Sequence, residues 1–277
     1  MIKIHAEKLL LYKFISYIIL KAESINAIKL YTERCKIFNK IAGENIMYNS
    51  FITGINQYFE LYKQGLKKQA NRCIKDFIKN FEDTCAKEEA EEILYRFCRE
   101  ICDEKKSVEF TRNGSLPYEV SRIVWNYLKH QCELENMPQM RWTFELYGKY
   151  YNPFDRKCEL NIYQVLQKAY EHKNCDQKTV DIYFYEWVIS QLDWGAHHFP
   201  EGCLISEEEY ETAVETAEKV MAEKNVAPEL IDSLRYYIKL YQCFREYESS
   251  GKEENYFYKI CEKEGVNYTK WPVYYFS

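Results

Sequence analysis

The fold is decided by residues 206–241, which read SEEEYETAVETAEKVMAEKNVAPELIDSLRYYIKLY. Ser206 and Glu209 have the spacing of a capping box, in which the hydroxyl and the carboxylate each accept a hydrogen bond from the other residue's backbone N–H. Pro228 fits the first turn of a second helix, where its missing N–H costs no hydrogen bond. After both starts, apolar side chains recur at three- and four-residue steps: Tyr210, Ala213, Val214, Ala217, Val220 and Met221, then Ile231, Leu234, Ile238 and Tyr241. The stretch predicts two helices that pack as an antiparallel hairpin.

The same helical period continues along almost the whole chain. It predicts helices over residues 5–22, 25–41, 44–63, 65–82, 86–105, 117–135, 139–150, 160–171, 177–194, 207–224, 228–248 and 252–264. With nine Gly and six Pro in 277 residues, the chain has few positions for the tight turns of a many-stranded sheet. Because short connections make consecutive helices antiparallel, we predict an all-α protein with antiparallel helical hairpins stacked as an irregular α-solenoid.

Charge is distributed unevenly along the chain. Residues 1–80 contain 14 Lys and Arg against six Asp and Glu, and the remainder contains 24 against 37, for a net charge of −5. The irregular stretch Ser107–Leu116 is the best candidate for a boundary. We predict an N-terminal basic helical subdomain over residues 1–110 and a C-terminal acidic helical-repeat subdomain over residues 111–277, with one continuous domain as the alternative.

Eleven cysteines occur without a CxxC pair or a dense disulfide framework. Most fall on apolar helical faces, where a free thiol behaves as a small buried side chain. Reduced thiols are typical of the cytosol, so we predict a cytoplasmic protein. The apolar run Leu9–Leu20 is interrupted by Lys13 and is shorter than the ~20 residues of a membrane span. We therefore expect neither a targeting segment nor a membrane partner.

One helix carries a regular row of cations, Lys68, Arg72, Lys75 and Lys79, which we call the basic row. An apolar stripe occupies the opposite side of that helix: Leu66, Ala70, Ile74, Phe77 and Phe81. Packing of the stripe directs the cations outward, toward an acidic protein surface or toward phosphates. A nucleic-acid complex through residues 65–81 would be directed at the backbone, because no base-reading motif accompanies the row. A solvated face without a partner is the further alternative.

The segment richest in reactive side chains is DWGAHHFPEGC, residues 193–203. Imidazole, thiolate and carboxylate groups bind zinc, so a tetrahedral set from His172, Cys175, His197 or His198, and Cys203 is chemically feasible. An enzyme or metalloprotein centred on Asp193, His197, His198 and Cys203 is a related alternative. No recognised ligand spacing and no HExxH motif accompanies these residues. The structural interpretation is a helix stopped by Gly195, with Phe199 and Pro200 holding the following loop, and under it we expect no metal, no cofactor and no catalytic residue.

Two predicted helices between residues 139 and 171 share a pattern of aromatic and small residues. The first has Phe144, Tyr147, Gly148 and Tyr151, and the second has Leu166, Ala169 and Tyr170. This pattern resembles one tetratricopeptide-type repeat. In the resemblance the small Gly148 lets two helices approach closely. It implies a curved stack of helices whose concave groove receives a peptide or a partner protein.

These observations favour an interaction protein over an enzyme. GxSxG, P-loop and dinucleotide-binding motifs are absent from the sequence. We predict an adaptor, regulator or inhibitor that binds a protein or peptide through the basic row and through inner-face aromatic residues, Tyr147, Tyr151, Tyr183 and Trp187. The aromatic tail, residues 267–276, is expected to cover the end of the helical stack or to dock onto a second subunit in a homo-oligomer.

Overall fold

The computed structural model describes residues 45–104, 116–148, 153–155, 160–251 and 256–269. Within these ranges every regular element is a helix and no strand is present, which confirms the all-α prediction. The predicted helices 5–22 and 25–41 and the run Leu9–Leu20 lie outside the described residues. None of the described helices is both long enough and apolar enough to cross a membrane.

The chain divides into two compact units, Met1–Tyr127 and Leu128–Ser277. Helix α1 covers residues 45–63, followed by α2 (Lys67–Thr84), α3 (Lys87–Cys102), α4 (Tyr118–Glu133), α5 (Gln139–Tyr147) and α6 (Ile162–Glu171). Helix α7 consists of Gln177–Phe184, a π-helical turn Tyr185–Ile189 and Ser190–Ala196, and it precedes α8 (Glu207–Glu223), α9 (Pro228–Ser249) and α10 (Tyr256–Lys263). The unit boundary falls inside α4, whereas the predicted division at residue 110 lies in the segment 105–115, outside the described residues.

Helix α8 begins as its sequence predicts. Ser206 Oγ accepts a hydrogen bond from Glu209 N at 3.2 Å, and Glu209 Oε2 accepts one from Ser206 N at 2.7 Å, so the capping box is present. Pro228 occupies the first turn of α9. Tyr210 contacts Tyr241 with ring centroids 4.7 Å apart. Since Arg245 near the end of α9 also pairs with Glu207 at the start of α8, the two helices are antiparallel.

Helix α7 lies at the centre of the second unit. Helix α6 packs on its first segment, α8 and α9 pack on its π-helical and last segments, and α10 packs on α9. Val188 and Leu192 are fully buried among these elements. The order of contacts fits a solenoid-like arrangement of helical hairpins.

In the first unit, Phe51 of α1 packs between α2 and α3. Its ring centroid is 5.1 Å from that of Phe81 and 5.3 Å from that of Phe97. The predicted stripe of α2 is buried at Ala70, Ile74 and Phe81, and Ile78 joins it. Leu66 was predicted to belong to the stripe, but it is 39% exposed because it lies in the turn before α2 begins. Phe77 is only half-buried.

Candidate functional site

The four cations of the basic row lie on the solvent side of α2. All are exposed, and none forms an ion pair with a carboxylate of the described residues. Two neighbouring lysines differ from them, because Lys63 pairs with Glu60 at 2.9 Å and Lys67 lies 5.6 Å from the ring centroid of Tyr62. The row therefore offers its charges to solvent.

The packing of α2 fixes the direction of the basic row. Ala70, Ile74 and Ile78 are at most 2% exposed, so the helix cannot rotate about its axis without exposing apolar surface. Lys68 and Lys79 are eleven residues apart, about 16 Å along a helix that rises 1.5 Å per residue. The result is a line of positive charge whose spacing and direction are set by the packed helix.

The described arginines on α3 and α4 in this unit have acidic partners. Arg122 makes a two-pronged contact with Glu82, at 2.9 Å and 2.7 Å, and a further one with Glu119. These carboxylates raise the pKa of Arg122. Arg96 pairs with Glu100 at 3.2 Å. The basic row thus contrasts with arginines whose charge is neutralised within the unit.

Two of the four predicted aromatic contacts belong to the core of the second unit. Tyr147 is 7% exposed and Tyr183 is 6% exposed. The Tyr183 ring is stacked between Tyr170, at 4.1 Å, and Trp187, at 5.1 Å. Stacking between helices buries Tyr183, and the low exposure of both tyrosines leaves little of either side chain for a partner. Tyr151 lies outside the described residues.

Trp187, the remaining member of that set, borders an open groove of about 370 Å³ between α6, α7 and α8. We call it the aromatic groove. Its lining combines aromatic rings with carboxylates: Tyr163, Glu186, Trp187, Gln191, Glu208, Glu209, Thr212, Ala213 and Thr216. Tyr163 is 49% exposed and its ring centroid is 5.5 Å from that of Trp187. Among the described residues that line it are three glutamates and no lysine or arginine, so this described lining is acidic.

The π-helical turn of α7 supplies two of these side chains. Glu186 and Trp187 both lie within Tyr185–Ile189, where one extra residue per turn changes the faces that successive side chains occupy. Short π-helical turns inside α-helices frequently occur at functional sites. A period of 3.6 residues contains no signal for this turn and therefore does not identify Glu186 as a site residue. Tyr163 and Glu208 lie on α6 and α8, and the sequence does not identify them because only the packing of three helices brings them to the groove.

The alternative zinc set is not brought together. His172 and Cys175 precede α7, whereas His197, His198 and Cys203 follow it. The 20 residues of α7 span about 30 Å at 1.5 Å per residue, and this separates the two halves of the set. Among the described residues, no three His, Cys, Asp or Glu side chains are placed to hold a metal ion.

The segment 193–203 is instead tied into the helical core. Asp193 Oδ1 accepts a hydrogen bond from Tyr237 OH at 2.6 Å, and Phe199 is fully buried with its ring stacked 4.0 Å from that of Phe244. Gly195 does not stop the helix as predicted, since α7 continues to Ala196. A Cβ atom at Gly195 would overlap Tyr241 Oη and would lie 2.5 Å from Ile205 Cγ1. Glycine here permits close packing.

The tail is described as far as Thr269. Tyr268 packs edge-on against Phe257, with ring centroids 5.2 Å apart, and its hydroxyl donates to the backbone oxygen of Phe199 at 2.6 Å. This first part of the tail packs on the first turn of α10, and covering of the end of the helical stack by the whole tail remains a prediction. Residues 270–276 lie outside the described residues, and docking of the tail onto a second subunit remains a prediction.

Within residues 139–171, the described helices α5 and α6 pack against each other. Gly148 is the C-cap of α5, and its N–H donates to Phe144 O at 2.8 Å. The three atoms nearest to a Cβ atom placed there all belong to Phe144 of the same helix, and the role of Gly148 in close helix approach remains a prediction. Comparisons with protein-family models, with curated proteins and with solved structures find no match for the chain.

Proposed function

We propose that this chain is a helical interaction protein that binds an acidic surface of a partner protein through the basic row. The observation that carries the proposal is the line of four exposed cations on one packed helix, without a counter-ion among the described carboxylates. A solvated face would satisfy the same charges with water alone. Charge reversal of the row distinguishes partner binding from such a face.

The strength of such a contact follows from ordinary ion-pair energies. An exposed pair contributes about 0.2–1 kcal/mol, so four pairs would contribute roughly 1–4 kcal/mol, which corresponds to about fivefold to a thousandfold in affinity. Complementary charge also accelerates encounter. Binding through the row is therefore expected to be rapid and salt-sensitive, with apolar contacts elsewhere supplying the remaining affinity.

We propose in addition, first, that the helices form a tetratricopeptide-like stack of hairpins and, second, that the protein is cytoplasmic. The α5–α6 pair supports the first part, because two short packed helices occupy the segment that resembles one repeat. For the second part, all nine cysteines of the described ranges are free thiols, and free thiols persist in a reducing compartment.

A nucleic-acid backbone is the competing ligand for the same row. The net charge of −5 opposes the approach of an acidic protein surface and of a phosphate polymer alike, so it does not distinguish the two ligands. Four cations could replace about four counter-ions of the nucleic acid. The slope of log affinity against log salt concentration would therefore be no steeper than about −4. An acidic protein surface of limited area suits a short row better than a long duplex.

The test compares two double charge reversals. Arg72→Glu with Lys75→Glu changes the row, and Lys219→Glu with Lys239→Glu makes the same change in net charge on exposed lysines of the second unit. A fluorescein-labelled oligoglutamate peptide is the probe, and fluorescence anisotropy is the readout. We expect the first variant to weaken binding about tenfold and the second to leave it unchanged.

Equal affinities of both variants and the unmodified protein would overturn the proposal. Tighter binding of a random-sequence DNA duplex than of the peptide at matched salt would replace it with the nucleic-acid interpretation. Circular dichroism of each variant controls for folding.

A further inference from the structure

The aromatic groove has the chemistry of a site for one kind of side chain. We propose that it binds an arginine-containing peptide segment, with the guanidinium group against Trp187 and with Glu186 and Glu208 as its counter-ions. This inference concerns the second unit and does not depend on the basic row.

The aromatic wall is fixed before any ligand arrives. Trp187 is held by its stack on Tyr183, with 5.1 Å between the ring centroids and 18° between the planes. Tyr163 approaches it at 50° and is itself in edge-to-face contact with Phe144. Because the rings are supported from behind, a planar cation can bind without ordering them. Trp is also the ring that attracts cations most strongly.

The polar wall presents mostly acceptors, and its lining also includes the amide group of Gln191, which both donates and accepts. Thr212 and Thr216 line the groove, but their hydroxyl groups already donate to backbone oxygens of α8, each at 2.7 Å. Toward the groove these oxygens can only accept. Glu208 and Glu209 add carboxylates from the first turn of α8, and Glu186 adds a third from α7. A ligand that satisfies this wall must carry several N–H donors.

The guanidinium group meets both requirements. It is planar, always charged and carries five N–H donors, and it stacks on aromatic rings while its edge pairs with carboxylates. A quaternary ammonium group would satisfy the rings but has no donor for the acceptors. A lysine ammonium group has three donors but no flat face. The groove volume of about 370 Å³ lies at the lower end of the range for small-ligand sites, which suits one side chain with its flanking backbone.

The capping box keeps one carboxylate charged and in place. Hydrogen bonds from the backbone and side chain of Ser206 lower the pKa of Glu209. Its oxygens are therefore partly committed to α8, so Glu208 is the better partner for a ligand. Glu208 is exposed, and replacing it by glutamine removes charge without disturbing the core.

The experiment titrates the full chain with an acetylated tetra-arginine amide, followed by calorimetry and by the side-chain N–H resonance of Trp187 in an NMR spectrum. Glu208→Gln and Glu186→Gln are each expected to weaken binding about threefold, and the pair about tenfold. Glu211→Gln is the matched control, because Glu211 is an exposed glutamate of the same helix that does not line the groove. It should leave affinity unchanged. Trp187→Phe, which keeps a supporting ring, should weaken binding about threefold.

Three results would overturn the inference. The first is equal loss of affinity in Glu208→Gln and Glu211→Gln, which would indicate attraction to negative charge in general. The second is peptide binding that leaves the Trp187 resonance unmoved. The third is tighter binding of the free tetramethylammonium ion than of the free guanidinium ion, because the hydrogen-bond acceptors of the groove would then contribute nothing to binding. Failure of the basic-row experiment would leave all three measurements unaffected.

Discussion

Arg141 of α5 donates a hydrogen bond from Nη2 to Asp176 Oδ2 at 3.1 Å, across 35 residues of sequence. The arginine side chain is 3% exposed, and it also pairs with Glu145 of its own helix. Asp176 is the N-cap of α7 and accepts from Thr179 N at 2.8 Å. One buried cation thus joins α5 to the start of the central helix of the second unit.

Replacing Arg141 should therefore destabilise the second unit. Arg141→Met keeps much of the side-chain volume but leaves Asp176 and Glu145 without this cation, at an expected cost of about 2–4 kcal/mol. Lys178, which also pairs with Glu145 at 2.6 Å, limits the loss. Urea unfolding followed by circular dichroism measures it. Arg235→Met is the control, because Arg235 is 71% exposed and pairs only with Asp232, so its change should be near zero. Equal midpoints would contradict the prediction.

The same contact makes stability depend on pH. Burial alone would raise the pKa of Asp176, but hydrogen bonds from Thr179 and the charge of Arg141 outweigh it and lower that pKa below its ordinary 3.8. The stabilisation is therefore complete above the ordinary value and is lost as the pH falls through the lowered one. Asp176→Asn should unfold more readily than the unmodified protein at pH 7, and the difference should shrink in acid. A gap that is constant from pH 7 to strongly acidic solution would exclude the linkage.

A third prediction concerns Glu135, at the end of α4. Its φ is 52°, a left-handed conformation that costs little only for glycine. The N–H of Asn136 donates to Gln131 O, and that of Glu135 donates to Cys132 O, which is the Schellman pattern. Gly65 and Gly265 occupy the corresponding position after α1 and α10, with φ of 81° and 69°. Glu135→Gly should raise the thermal midpoint by about 2 °C.

Glu135→Gln separates backbone strain from charge in that experiment. It keeps the side chain at positive φ but removes the ion pair between Glu135 and Lys168, whose atoms are 2.8 Å apart. Its midpoint should not rise. If glutamine and glycine shifted the midpoint equally, the effect would belong to the charge.

A structural feature of this protein can be predicted from the sequence when it depends on residues close together in the chain, and not when it depends on contacts between helices. Helix limits follow from local signals such as Ser206, Glu209 and Pro228, and for that reason the predicted ends agree with the structure within a few residues. The outward direction of the basic row likewise follows from one helix and its apolar stripe. The aromatic groove does not, because it requires α6, α7 and α8 to meet and Glu186 and Trp187 to be turned by a π-helical segment. Tyr183 was predicted to face a partner because periodicity identifies an apolar face without showing which neighbour covers it.

Gly195 tests whether a residue acts through a local signal or through packing between helices. If it served only to stop α7, Gly195→Ala would be harmless or would add stability through helix propensity. The structure predicts the opposite, because a Cβ atom would press on Tyr241 and would lie 2.5 Å from Ile205 Cγ1. Overpacking of this kind costs about 1–3 kcal/mol. Gly202→Ala is the matched control, since no atom lies within 4 Å of the added carbon. A thermal midpoint for Gly195→Ala equal to that of the control would mean that α7 and α9 do not approach as closely as the structure shows.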